Sequence, residues 1–147
     1  MPSCHPYSGT HAYPIGLPVN AMHLFIVEDS IPVRERLVRT LEGLENLDIV
    51  GTAEDVAPAI AGLTGASPDA LILDLQLPSG SGLEVLKAIR QRLPRLRVIV
   101  MTNFAAEPYR KAAMAAGAEI FLDKSADFQR VRDILAGWSR DVAVPLH

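Results

Sequence analysis

A single cysteine, Cys4, stands in a chain of 147 residues, so no internal disulfide can form. That usage fits a reducing compartment, and the expected location is cytoplasmic. The four histidines, His5, His11, His23 and His147, are scattered toward the ends, which leaves no His-based metal site visible. An excess of charge of either sign is missing as well: the formal net charge is only -3, and no lysine-arginine stripe offers a footprint for nucleic acid phosphates. Direct nucleic acid contact is therefore not expected. No apolar run reaches the roughly 20 residues that a membrane-spanning helix needs, so membrane insertion is not expected. Aromatic residues make up only 5% of the chain, and alanine, leucine and valine dominate instead.

What is present suits one compact α/β domain. The length is enough for a single domain with a real core and short for two. The opening stretch, "MPSCHPYSGTHAYPIGLPVNA", is rich in Pro, Gly, Ser and Tyr, with no helical or alternating pattern. It lacks the basic start and apolar centre of a signal peptide. Residues 1–21 read as a flexible or partner-bound extension. A second reading makes Met22 the natural start, since "MHLFIVED" begins at the first strand.

Five short apolar runs alternate with helical patterns: "HLFIV" (23–27), "LDIVGTA" (47–53), "ALIL" (70–73), "LRVIVM" (96–101) and "EIFL" (119–122). Most are unbroken rather than alternating, as strands covered on both faces should be. Between them the period becomes helical. Val33, Leu37, Leu41 and Leu44 form one stripe; residues 54–65 form a weaker helix with Pro58 in its first turn. Residues 82–94 form a helix expected to stop at Pro94. Residues 107–117 run from Pro108 near the start to Gly117 at the end, the usual asymmetry of helix termini. The last helix is expected from Ser125 as N-cap, with a Phe128–Val131–Leu135–Trp138 stripe. This (βα)5 order predicts a doubly wound parallel sheet.

In such a sheet, ligands sit beyond the carboxyl ends of the strands. The polar residues there are Glu28 and Asp29 after the first strand, Asp74 after the third, Thr102 after the fourth and Lys124 after the fifth. Each has an ordinary explanation by itself. Asp29 or Ser30 could cap the first helix, Asp74 could be a turn residue, and Thr102 could simply end a strand. Lys124 stands just before the last expected helix, where the helix dipole disfavours a cation unless an anion meets it. Together they make a chemical device. Three clustered carboxylates repel one another unless a cation joins them, and Mg²⁺ takes such oxygen ligands. A carboxylate can attack a phosphoryl group and form an acyl phosphate, whose oxygens then need a metal, an ammonium and a hydroxyl.

The motifs "FIVED", "LILDLQLPSGSGLEVL", "VIVMT" and "GAEIFLDKS", in this order and on these elements, resemble the receiver domain of two-component response regulators. The resemblance covers residues 22–140 and leaves 141–147 as a short tail. It implies the flavodoxin-like fold of the stand-alone chemotaxis regulators, a five-stranded parallel sheet of order 2-1-3-4-5. It further implies that Asp74 is the phosphoacceptor and that Asp29 ligates Mg²⁺ directly, Glu28 through water and Gln76 through its backbone carbonyl. Thr102 would bond one phosphoryl oxygen and Lys124 another. Phe121 matches the aromatic position whose rotamer accompanies activation. A histidine kinase or phosphotransfer protein would donate the phosphoryl group. The face of fourth helix, fifth strand and fifth helix would meet a downstream protein or a second copy.

Four positions depart from the family pattern. Asn103 stands where Ala or Gly is usual, and Ser125 where proline follows the lysine. That Lys–Pro bond is commonly cis in the family, and a cis Lys–Ser bond would cost about 3 kcal/mol. Glu28 replaces the commoner aspartate, and Gln76 lies beside the route for attacking water. The chain ends soon after Trp138, leaving no room for a DNA-binding output domain, so output is expected through protein contact unless the sequence is part of a longer protein. The expected function is thus a phosphorylation switch rather than an enzyme, assisting its own phosphorylation and autodephosphorylation. A receiver-like interaction module that is never phosphorylated is the alternative. An aspartyl-nucleophile phosphatase would want a second aspartate where Gln76 stands. The "GSG" of residues 80–82 lacks the Lys-Ser or Lys-Thr of a nucleotide-binding loop.

Overall fold

The computed structural model describes residues 21–103 and 105–143, with the side chains of 142 and 143 excepted. Nearly all of the expected extension and the end of the chain, with Cys4, His5, His11 and His147, lie outside the described residues. The expected strands form where the apolar runs lie: β1 Met22–Val27, β2 Leu47–Ala53, β3 Ala70–Leu73, β4 Arg97–Thr102 and β5 Ile120–Asp123. They make one five-stranded sheet of order β2-β1-β3-β4-β5, with every neighbouring pair parallel. The helices are α1 Ile31–Leu41, α2 Val56–Ala66, α3 Gly82–Ile89, α4 Glu107–Ala115 and α5 Arg130–Ala143. A short antiparallel hairpin, Gln76–Leu77 with Gly80–Ser81, was not expected.

Alternation along the strands divides the core in two, as a sheet covered on both faces requires. Phe25, Val27, Leu71, Leu73, Val98 and Val100 pack with Ala59 and Leu63 of α2, Val85, Leu86 and Ile89 of α3, and Ala113 of α4. Leu24, Ile26, Ile72, Ile99, Met101 and Leu122 pack on the other face with Leu37 and Leu41 of α1 and Val131, Leu135 and Trp138 of α5. Gly51 on β2 and Gly62 on α2 both lie against the Phe25 ring, where a Cβ would come within 2.6 Å of a ring carbon. The β1–β2 register shifts between Leu24 and Phe25, beside this contact.

Three helix expectations need correction. α1 ends at Leu41, so Leu44 belongs to the loop that follows, although it still packs on the same core. α3 ends at Ile89 rather than Pro94. The Arg90 guanidinium donates to the carbonyls of Leu93, Pro94 and Leu96 at 3.3, 3.1 and 2.7 Å, and so supports irregular turns in place of a last helical turn.

α5 begins at Arg130, and Ser125 is not its cap. Asp123 wins that segment instead: its Oδ1 accepts from Ser125 N at 2.8 Å, Ser125 Oγ at 2.7 Å and Ala126 N at 3.4 Å. Such local side-chain bonds compete with helix formation. No peptide bond among the described residues is cis, so the Lys124–Ser125 bond is trans. No helix among the described residues is long and apolar enough to cross a membrane.

Candidate functional site

The hydrogen-bond ladder of the sheet runs one residue past several strands, and those residues carry the site. Glu28 N donates to Ala53 O at 2.9 Å, Asp74 N to Val27 O at 3.0 Å, and Lys124 N to Thr102 O at 3.0 Å. Three segments thus deliver their side chains to one edge with the backbone already fixed. Ser30 caps α1, its Oγ accepting from Val33 N at 3.3 Å. Asp29 is left exposed between strand and helix.

All five strand-end residues come to this edge. Glu28, Asp74 and Thr102 are buried. Lys124 is nearly so, and its Nζ lies 2.6 Å from Glu28 Oε1 and 2.9 Å from Asp74 Oδ2. The other oxygens are held by backbone: Glu28 Oε2 accepts from Ser30 N at 3.1 Å and Asp74 Oδ1 from Gln76 N at 3.1 Å. These ion pairs, rather than a helix terminus, account for the lysine, because α5 starts six residues further on. Burial pushes the Glu28 carboxyl above the ordinary glutamate range, and the nearby Asp74 charge adds to it; the bonds from Lys124 and Ser30 only partly offset this. For Lys124, burial works against the ammonium, but the bonds to Glu28 and Asp74 together hold its pKa above the usual lysine value.

An open cleft of about 360 Å³ lies over this edge, walled by Glu28, Asp29, Asp74, Lys124, Gln76 and Asn103 among others. Glu28, Asp29 and Asp74 each offer an oxygen, and the three oxygens lie within 4.8 Å of one another. An all-oxygen donor set carrying three carboxylates against one ammonium suits a hard divalent cation such as Mg²⁺. Thr102 sits at the end of β4 beside Asp123. Phe121, half-buried on β5, packs on the α2–α4 side of the sheet. Gln76 is exposed on the hairpin that follows Asp74.

Several contributors were not legible beforehand. The Arg34 guanidinium donates to the Glu28 carbonyl at 2.9 Å and so steadies the end of β1. Gly82 begins α3 against the Asp74 carbonyl, where any Cβ would collide with that oxygen. Asp55, at the start of α2, binds Ser79 in the loop beside the cleft. Helix periodicity does not mark Arg34, Gly82 meets Asp74 only once the β3–α3 loop has folded back, and Asp55 and Ser79 come from different loops, so no local pattern announces them.

Comparison with known proteins identifies the family of the fold that carries this edge. A model of the response regulator receiver domain matches residues 24–136. The DNA-binding transcriptional activator DevR/DosR of Mycobacterium tuberculosis is 35% identical over 120 residues, covering 79% of this chain and 55% of that protein. The acid tolerance regulatory protein ActR of Rhizobium meliloti is 37% identical over 131 residues, covering 89% of this chain and 65% of that protein. The chain thus spans little more than half to about two thirds of these relatives. Among solved structures, the response regulator domain of Thermotoga maritima CheB superimposes with a TM-score of 0.72 at 26% identity, over 86% of this chain and 99% of that one. A LuxR-family two-component response regulator from Aurantimonas sp. SI85-9A1 gives 0.71 at 30% identity, over 84% and 93%. This chain belongs to the response regulator receiver domain family.

Proposed function

We propose that the described unit is a phosphorylation switch in which Asp74 is the phosphoacceptor. The observation that carries this reading is the Asp74 carboxylate on the cleft wall, bonded on one oxygen to Lys124 Nζ at 2.9 Å and on the other to the Gln76 amide at 3.1 Å. An Asp74 oxygen forms a bond to phosphorus as the donor's P–N bond breaks, and the imidazole of a histidine kinase or phosphotransfer protein leaves. Lys124 then turns from neutralising the carboxylate to neutralising a phosphoryl oxygen, and the Thr102 hydroxyl bonds another. Asp29, Glu28 and Asp74, with the Gln76 carbonyl, would hold Mg²⁺, which supplies positive charge against the phosphoryl oxygens.

Dephosphorylation is attack of water on the same phosphorus, and Gln76 and Asn103 stand on the cleft wall where that water must enter. Output runs through protein contact on the α4-β5-α5 face, to a downstream protein or a second copy, with Thr102 and Phe121 as the moving parts. Tyr109 and Met114 of α4 are exposed large apolar residues.

The test is incubation with Mg²⁺ and acetyl phosphate, followed by intact mass measurement. The expected result is a gain of one phosphoryl group, absent from Asp74→Ala. No gain with either acetyl phosphate or a competent kinase would sink the switch and favour an interaction module that is never phosphorylated.

A further inference from the structure

Asp55 does more than begin a helix. Its Oδ1 accepts from Val56 N at 2.8 Å, which is the helix cap. The same oxygen accepts from Ser79 N at 3.0 Å, and Oδ2 accepts from Ser79 Oγ at 2.6 Å. The cap needs only the first of these bonds. The other two cross 24 residues of sequence to grip the loop between β3 and α3.

That loop is otherwise tied down at its base. Leu75 and Leu77 are buried, and Gly82 N returns to Leu75 O at 2.9 Å. The outer turn, Pro78 and Ser79, is exposed, and the Asp55 carboxylate holds it through both a backbone and a side-chain donor. Ser79 lies in the turn that joins the two strands of the hairpin, and the first of these strands begins at Gln76. Gln76 in turn donates its amide to the phosphoacceptor at 3.1 Å. A displacement at Ser79 is therefore passed through two residues to the group that orients Asp74.

We propose that Asp55 is a positioning residue of the phosphoacceptor site. It acts through Ser79 to hold the hairpin so that the Gln76 amide meets Asp74 and the Gln76 carbonyl stays where a cation can use it. The inference rests on the reading of Asp74 and Mg²⁺ given above. A charged acceptor makes these bonds stronger than neutral ones. A partner lying outside the immediate ligands can still carry about a factor of ten in metal affinity.

The experiment uses the full chain and reads two quantities: the Mg²⁺ dissociation constant by calorimetry, and the exchange rate of the Gln76 amide hydrogen without metal. Ser79→Ala removes one bond and leaves the α2 cap intact; it is expected to weaken Mg²⁺ binding about threefold, the share of one hydrogen bond. Asp55→Ala is expected to weaken it about tenfold, and the double variant no further, because the contact is already gone. Asp55→Asn keeps an acceptor for both amides and should retain most of the affinity. Exchange at Gln76 should speed up in the order of these losses. If Asp55→Ala does not fold, Ser79→Ala decides alone. Wild-type Mg²⁺ affinity in the folded single variants overturns the proposal, whatever their thermal stability. A wild type that neither binds Mg²⁺ nor takes a phosphoryl group would instead sink the reading of the site itself.

Discussion

Lys124 Nζ lies 2.6 Å from Glu28 Oε1, with the glutamate buried and the lysine nearly so, and so joins the ends of two strands that are not neighbours in the sheet. With Asp74 as second partner, one ammonium faces two buried carboxylates. Removing that ammonium leaves two buried carboxylates of like charge without their shared cation. Lys124→Met is expected to destabilise the metal-free protein by about 3 kcal/mol, the lower end for breaking a buried pair. Added Mg²⁺ should recover part of the loss if it joins the same carboxylates. Urea unfolding with and without Mg²⁺ checks both; a variant as stable as the parent would show that the ion pair contributes nothing net.

Gly82 is required by space rather than by backbone angle, since a Cβ there meets the carbonyl oxygen of Asp74. The atoms that come nearest are the backbone carbonyl of Asp74, which cannot swing aside as a flexible side chain would. Gly82→Ala is expected to cost about 1–3 kcal/mol, the range for overpacking, and to slow phosphorylation by acetyl phosphate, because the shift falls on Asp74, the proposed phosphoacceptor. Gly65, where a Cβ would meet nothing within 4 Å, is the control. Gly65→Ala should be neutral or slightly stabilising in the same melts, as alanine is the better helix former.

The Phe25 ring fills the space that Gly51 and Gly62 leave. Gly62→Ala alone should lose about 1–3 kcal/mol through overpacking. Phe25→Leu removes the obstructing ring atoms, so the double variant should be more stable than the sum of the single losses predicts. A double-mutant cycle by denaturant unfolding measures this coupling; strict additivity would mean the ring does not set the constraint.

Acid should weaken the fold in a defined direction. Asp55 is held below the ordinary aspartate range by its bonds from Ser79 and Val56, and Asp123 by its bonds from Ser125. Glu119 is held low by the bond from Arg97, at 2.6 Å. Each binds fewer protons folded than unfolded in the acid range. Their stabilisation is therefore complete above the ordinary carboxylate pKa and lost as pH falls through the lowered values. Glu28 runs the other way: its raised pKa favours the fold at low pH, and that contribution is lost as pH rises through it. Thermal midpoints from neutral pH down to about pH 3, below the ordinary carboxylate values, should fall less steeply in Asp55→Asn than in the parent. Identical profiles would remove Asp55 from the account.

Much of the architecture was legible because strand burial writes itself as unbroken apolar runs. "ALIL" becomes the four buried residues of β3, and the expected strand bounds differ from the observed ones by at most one residue at either end. The polar residues that follow those runs were legible for a related reason: a parallel sheet brings the carboxyl ends of all its strands to one edge. Glu28, Asp29, Asp74 and Lys124 do wall one cleft, and Thr102 ends the strand beside it. Helix ends were read less well. Ser125 looks like an N-cap in sequence, but Asp123 two residues earlier binds it and delays α5 to Arg130.

The sequence by itself determined the alternation of strand and helix, the parallel sheet and the residues that gather at its edge, because these follow from local periodicity and a topology with few alternatives. Tertiary structure alone decided which groups touch there. Lys124 bridging Glu28 and Asp74, Asp55 reaching Ser79 and Gly82 yielding space to a carbonyl depend on distances between side chains and loops after the chain has packed. Such contacts have no period and no composition of their own.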